Sequence, residues 1–235
     1  MKLTHSTRPR VWHRFTAALV VLSNVATAST SVGATDRIAV AGGAITEMLY
    51  ALGVADRIVA VDATSLYPAE ALKTKRNLGY FRALSTEGVL STSPTLIIAS
   101  DKAGPPEVVK ALKSTFTAYH EVDDRPTPEA LVGRIRTVGG LVGKTREGDA
   151  LAATVAARFD ALAEARKRVP TPARKVLFVF SIQNGRVVVG GRGTGADAMI
   201  TLAGGINAAA AIDGYKPVSD EALLGSAPDV VLFYR

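Results

Sequence analysis

Ser85-Thr86-Glu87-Gly88-Val89-Leu90-Ser91-Thr92-Ser93-Pro94-Thr95-Leu96-Ile97-Ile98 aligns without gaps to Ser219-Asp220-Glu221-Ala222-Leu223-Leu224-Gly225-Ser226-Ala227-Pro228-Asp229-Val230-Val231-Leu232, 134 residues later. Each copy reads as a helix opened by a capping serine with an acid in its first turn, then a proline, then a buried strand. A unit of this kind that occurs twice implies two lobes built on one plan. A Gly-Tyr pair precedes both copies: Gly79-Tyr80 before the first, and Gly214-Tyr215, one residue closer to its glutamate, before the second.

Outward from the first copy, short apolar runs alternate with helical patterns. Strands are expected at residues 37–41, 57–61, 95–99 and 116–122, and helices at 43–53, 85–90 and 106–114. That alternation predicts a parallel sheet in an α/β lobe over residues 35–126. The last histidine of the chain, His120, falls on the fourth strand and reads as a local hydrogen-bonding residue. From Thr127-Pro128 the pattern turns helical, with Leu131, Ile135 and Val138 at helical spacing up to Gly139-Gly140 and Gly143. Thr145 is placed to cap a second helix that reaches about Lys167, with Leu151, Val155, Phe159 and Leu162 on one stripe. At 1.5 Å per residue it would be roughly 34 Å long, enough to join two lobes.

Pro170 and Pro172 mark the next boundary, so residues 127–170 are expected as connecting helices and 171–235 as the second α/β lobe. Strands at 175–180 and 186–189 flank Gln183-Asn184-Gly185, a hairpin turn. The glycines from Gly190 to Gly195 lack the Lys-Ser/Thr pair of a phosphate-binding loop and follow a hairpin strand, which argues against a nucleotide site. The fold class is therefore α/β, with two Rossmann-like lobes joined by one long helix. The second lobe reads as truncated, since the first copy of the repeat is followed by a further helix and strand. Exposed apolar surface and marginal stability are expected there.

Lys2, Arg8, Arg10 and Arg14, an apolar run over 15–25, and small residues at 26–28 and 32–34 read as a secretory signal peptide over residues 1–34. The apolar run is shorter than the roughly 20 residues of a spanning helix, so no stable membrane anchor is expected. Without the leader's four Lys/Arg, 24 basic residues face 21 acidic ones. The high isoelectric point therefore belongs largely to the leader and gives no case for nucleic-acid binding. The chain has no cysteine, which removes disulfides, thiolate metal sites and cysteine nucleophiles. His120 is the only histidine left beyond the leader, so a multi-histidine metal site or a Ser-His-Asp triad is hard to build, and no catalytic residue is expected.

The segments Asp62-Ala63-Thr64-Ser65-Leu66-Tyr67-Pro68, Gly79-Tyr80-Phe81-Arg82, Gly191-Arg192-Gly193-Thr194-Gly195 and Gly214-Tyr215-Lys216-Pro217, taken with the repeat, make the chain resemble the periplasmic haemin-binding proteins of bacterial ABC importers. These are related to siderophore and cobalamin carriers. The resemblance implies two lobes, one spanning helix, a ligand in the cleft and little closure on binding. The protein would be a periplasmic monomer that passes ferric haem to an inner-membrane permease.

By this likeness Tyr80 matches the axial ligand of the haem iron. The chemistry agrees, because a phenolate is a hard anionic donor suited to ferric haem. A free phenol ionises near pH 10, so iron and a nearby cation must favour the phenolate. Arg82 is the expected cation, on the same side as Tyr80 if the segment is extended. Tyr67, Phe81 and Tyr215 are candidates to pack the ring, and Lys216, Arg192 and Arg186 to meet its propionates. Tyr215 is either a lip residue or a second ligand. Glu87 and Glu221 match the carboxylates that dock on permease arginines, and they also suit helix N-termini. The competing readings are a siderophore or cobalamin binder of the same fold, which needs no phenolate ligand, and an exported hydrolase, for which no nucleophile-base-acid set is visible.

Overall fold

Ile38–Ala41 (β1) and Leu96–Ser100 (β4) are buried at every position, as befits the centre of a parallel sheet. The two pair directly, Ile38 with Leu96 through to Ala41 with Ala99. Ile58–Val61 (β2) lies on the other edge of β1, Arg76–Asn77 (β3) beside β2, and Tyr119–Val122 (β5) beside β4. The sheet is fully parallel in the order β3-β2-β1-β4-β5. The computed structural model describes residues 36–115, 118–168 and 171–233, so the expected leader lies outside the described residues, as do Phe116 and Thr117 at the expected start of β5. His120 is exposed on β5, opposite Ile98.

Helices cover both faces, and the period of two along the strands divides the core between them. Ile38 and Val40 point toward Gly43–Ala51 (α1) and Pro128–Leu141 (α5), packing with Ile45, Leu49, Ile135 and Val138. Ala39 and Ala41 face the opposite way, toward Phe81, Leu84, Val89 of Thr86–Leu90 (α3) and Leu112 of Pro106–Thr115 (α4). Glu70–Thr74 (α2) connects β2 to β3.

Thr127 caps α5 by accepting a hydrogen bond from the Ala130 N–H at 3.2 Å. The next helix, Thr145–Arg166 (α6), departs from expectation: Thr145 is its first residue, and the capping position is Lys144, with no side-chain cap. The cause lies in Gly143, whose φ of 71° turns the chain so tightly that the Lys144 N–H bonds back to the Gly139 carbonyl at 2.7 Å. At the α5/α6 contact a Cβ on Gly139 would lie 2.9 Å from the Gly148 Cα, so the pair of glycines lets the backbones touch. Leu151 and Val155 of α6 pack against the first core, and the stripe continues half-buried through Phe159 and Leu162. With 22 residues, α6 is about 33 Å long.

The second sheet is mixed. Lys175–Gln183 (β6) and Arg186–Gly190 (β7) form the expected hairpin around Asn184-Gly185, both with positive φ, as a two-residue turn requires. Gly195–Leu202 (α7) leads to Ile206–Asn207 (β8), which pairs with the start of β6. Tyr215–Val218 (β9) runs antiparallel to β7, and Asp220–Gly225 (α8) leads to Val230–Phe233 (β10), parallel to β6. The order is β10-β6-β7-β9.

One face of this sheet holds a small core of Leu177, Val179, Val189 and Ala209. Over the other, Val176, Phe178, Ile200, Met199, Val230 and Leu232 line an apolar cavity of about 460 Å³. Phe233 is 69% exposed, and Val231 and Leu232 are also exposed. No helix among the described residues is long and apolar enough to cross a membrane.

Candidate functional site

In the first sheet the strand order reverses between β1 and β4, and their carboxyl ends open on α1. Ligands of open α/β sheets sit in the crevice at such a point. Here Gly42, Gly43, Thr64, Phe81, Ser100 and Asp124 line a cavity of about 250 Å³, together with Glu47. Burial raises the Glu47 carboxyl above its ordinary range. Asp124 is held by the buried Arg134, whose Nη1 lies 3.0 Å from its carboxylate, while the Arg134 Nε donates to the Asp123 carbonyl.

Tyr80 stands beside this cavity on a built turn. Asn77 Oδ1 accepts from the Gly79 N–H at 2.8 Å, Gly79 takes φ 81°, and the Ala83 N–H donates to the Tyr80 carbonyl at 2.8 Å. The turn is docked on the loop after β4 by the Gly104 N–H, which donates to the Phe81 carbonyl at 3.0 Å. Residues 80–83 are therefore not extended, and Tyr80 and Arg82 do not share one side of a strand. Instead Phe81 is buried, the Tyr80 ring meets it edge-on with centroids 5.1 Å apart, and the Arg82 guanidinium lies 5.3 Å from its centroid. Phe81 also lines the cavity. Tyr80 is 49% exposed, and Tyr67, at the end of the neighbouring loop, is 69% exposed.

In the second sheet, Gly214 takes φ 74° and Tyr215 opens β9 opposite Gly190. A Cβ on Gly190 would lie 3.2 Å from Tyr215 Cε1 and 2.9 Å from Ala196 Cβ, so a side chain there would displace the tyrosine ring. Tyr215 is 46% exposed and packs against Phe180 with centroids 5.0 Å apart. Lys216, exposed, follows on β9. Arg192 is committed elsewhere, since its Nε and Nη2 both lie 2.8 Å from Asp213 Oδ1. Arg192, one of the expected propionate partners, thus sits in an exposed ion pair. Arg186 is exposed at the hairpin end of β7, the far end of that strand from the Gly190–Tyr215 pair.

Glu87 and Glu221 are both exposed in the first turns of α3 and α8. Ser85 caps the first helix by accepting from Gly88 N–H at 2.9 Å, and Ser219 caps the second by accepting from Ala222 N–H at 3.2 Å. The structure thus places Tyr80, Tyr67, Phe81 and Arg82 together on the first lobe, and Tyr215 and Lys216 together on the second. Sequence reasoning missed Phe180, the Arg192–Asp213 pair and the buried hydrogen-bonding role of Asp62. Of these only Asp62 carried a signal, an Asp-x-Thr-Ser run at a strand end that suits side-chain bonding to nearby backbone.

A family model described as periplasmic binding protein matches residues 38–235. The fold superimposes on the periplasmic heme-binding protein RhuT from Roseiflexus sp. RS-1 in apo form with a TM-score of 0.79 and 39% identity, covering 85% of this chain and 76% of that one. The ABC transporter substrate-binding lipoprotein YvrC of Bacillus subtilis is 25% identical over 189 residues, 80% of this chain and 60% of that protein. The vitamin B12-binding protein of Vibrio cholerae is 26% identical over 188 residues, 79% of this chain and 66% of that one. The chain thus spans less than two thirds of the length of these two curated relatives.

Proposed function

The chain belongs to the periplasmic binding protein family, and from that premise we propose that it captures ferric haem between its two lobes and delivers it to an ABC permease. Export into the periplasm, by the leader at residues 1–34, is part of this reading. The observation that carries it is the half-exposed Tyr80, held on a rigid turn over Phe81, in a chain 39% identical to a periplasmic heme-binding protein.

Tyr80 ligates the iron through its phenolate oxygen, and Arg82 adds positive charge beside the shared Phe81 ring. Tyr67 and Tyr215 pack the porphyrin, and Lys216 meets a propionate. Burying about 400 Å² of porphyrin yields on the order of 10 kcal/mol before association costs, so packing sets affinity and Tyr80 sets orientation and iron selectivity. Glu87 and Glu221 form the outward pair that meets the permease. The role is binding, with no chemistry done on the ligand. Cobalamin is the second reading, favoured by the relatedness to the vitamin B12-binding protein.

Titrating haemin into the chain from residue 35 onward tests this. The expected result is a high-spin ferric spectrum of a phenolate-ligated haem that is lost in Tyr80→Ala. The same spectrum in that variant would reject Tyr80 as ligand, and binding of cyanocobalamin without haemin would select the second reading.

A further inference from the structure

Asp62 is fully buried at the end of β2, where an isolated carboxylate would be very costly. It accepts four hydrogen bonds. Oδ1 takes the Gly42 N–H at 2.8 Å and the Ser65 hydroxyl at 3.2 Å; Oδ2 takes the Thr64 N–H at 2.9 Å and the Thr64 hydroxyl at 2.6 Å. Thr64 Oγ1 in turn accepts from the Gly43 N–H at 3.0 Å, and Ser65 Oγ lies 2.8 Å from Thr46 Oγ1. The network seats the loop 62–67 on the first turn of α1 so closely that a Cβ on Gly43 would come within 2.3 Å of the Thr64 carbonyl.

Two exposed tyrosines depend on this seat. Tyr67 follows at the end of the same loop. Tyr80 is reached across the backbone, because the Ala63 N–H donates to the Gly79 carbonyl at 2.8 Å. A second bond, Leu78 N–H to the Val61 carbonyl at 2.9 Å, also flanks Asp62 and continues the β2–β3 pairing of Val61 with Asn77. A carboxylate suits the position because both of its oxygens meet donors; an amide would turn its own N–H₂ toward one of those pairs.

We infer that Asp62 is a positioning residue that sets Tyr67 and Tyr80 in register as one surface for the planar ligand. The functional half of this inference rests on the haem reading. Thr64 transmits the restraint, since its hydroxyl is both donor to Asp62 and acceptor for α1.

The test compares Thr64→Val, which keeps the shape and loses the hydroxyl, with Thr64→Ser, which restores it; Asp62→Asn is added if it folds. Hydrogen exchange in the ligand-free protein reads the positioning directly. Residues 62–68 and 77–82 are expected to exchange faster together in Thr64→Val and to stay at the wild-type rate in Thr64→Ser. Loosening of 62–68 alone would overturn the coupling, whatever haemin does. In haemin titrations Thr64→Val should weaken binding roughly tenfold and diminish the phenolate spectrum, with Thr64→Ser close to wild type. Coupled loosening with unchanged haemin binding would overturn the functional half. A wild-type protein that gives no phenolate spectrum would instead reject the haem reading, while hydrogen exchange still decides the positioning.

Discussion

Ser93 and Ala227, equivalent positions of the two repeats, share a left-handed backbone, with φ of 46° and 38°. The likeness continues two residues on. Thr95 Oγ1 accepts from the Arg37 N–H at 2.9 Å, and Asp229 Oδ2 accepts from the Lys175 N–H at 2.7 Å, each tying the start of β4 or β10 to the start of its partner strand. The repeat is thus preserved in hydrogen-bond detail although one lobe uses a hydroxyl and the other a carboxylate.

A left-handed alanine costs about 1–2 kcal/mol, of which glycine recovers all but the roughly 0.5–1 kcal/mol of added chain entropy. Ala227→Gly is therefore expected to stabilise the second lobe by up to about 1 kcal/mol. A lower urea midpoint in the variant would contradict the strain at this position.

Leu49 is fully buried between α1 and the first sheet, whereas Leu224 on α8 is 80% exposed. Leu49→Ala should cost about 2–5 kcal/mol and Leu224→Ala less than about 0.5 kcal/mol. Equal losses in chemical denaturation would show that Leu224 is covered in solution.

Burial and the Glu121 carboxylate push the Tyr119 phenol from 10.0 up to about 12. The folded chain keeps a proton that the unfolded chain releases near pH 10, so stability falls as pH rises from about 10 to about 12. The Tyr119 hydroxyl is also buried with no hydrogen-bond partner among the described residues. Tyr119→Phe should be neutral or stabilising at pH 7 and should flatten the alkaline loss. Denaturant midpoints across the alkaline range check this, and an unaltered decline in the variant counts against it.

Because Arg192 pairs with Asp213 while Lys216 has no ion-pair partner among the described residues, Lys216→Gln should weaken haemin binding severalfold and Arg192→Gln should have a smaller effect. The reverse order in parallel titrations would place the propionates near β7 and not on β9.

Reversing both Glu87 and Glu221 to lysine should abolish haem-dependent growth or vesicle uptake and leave haemin affinity within about twofold. Lost haemin binding in that double variant would sink the docking role.

The parts of this protein that rest on local chemistry were legible from residues alone. Ser85 and Ser219 announce helix caps, and the apolar runs after Pro94 and Pro228 announce buried strands. What escaped depends on backbone turns or distant partners. Arg82 was placed beside Tyr80 by strand alternation, but the positive φ of Gly79 and the Tyr80–Ala83 bond curl the segment, and both side chains meet the Phe81 ring. The Asp213 partner of Arg192 was not legible because it lies 21 residues away, in a loop joined to it by two backbone bonds to Ile212 and Gly214. Thr145 looked like a cap because threonine favours that position, but Gly143 had already turned the chain.

The single tryptophan, Trp12, falls within the leader stretch, so a chain from residue 35 onward has tyrosine as its only strong ultraviolet emitter. Tyr67, Tyr80 and Tyr215 are the exposed members of that set among the described residues, one pair on the first lobe and one ring on the second. A porphyrin seated against them would absorb their emission, and each Tyr→Phe exchange would remove a separate share of the quenching. The surface that holds the ligand would then serve as its own optical reporter, with no dye or fusion attached.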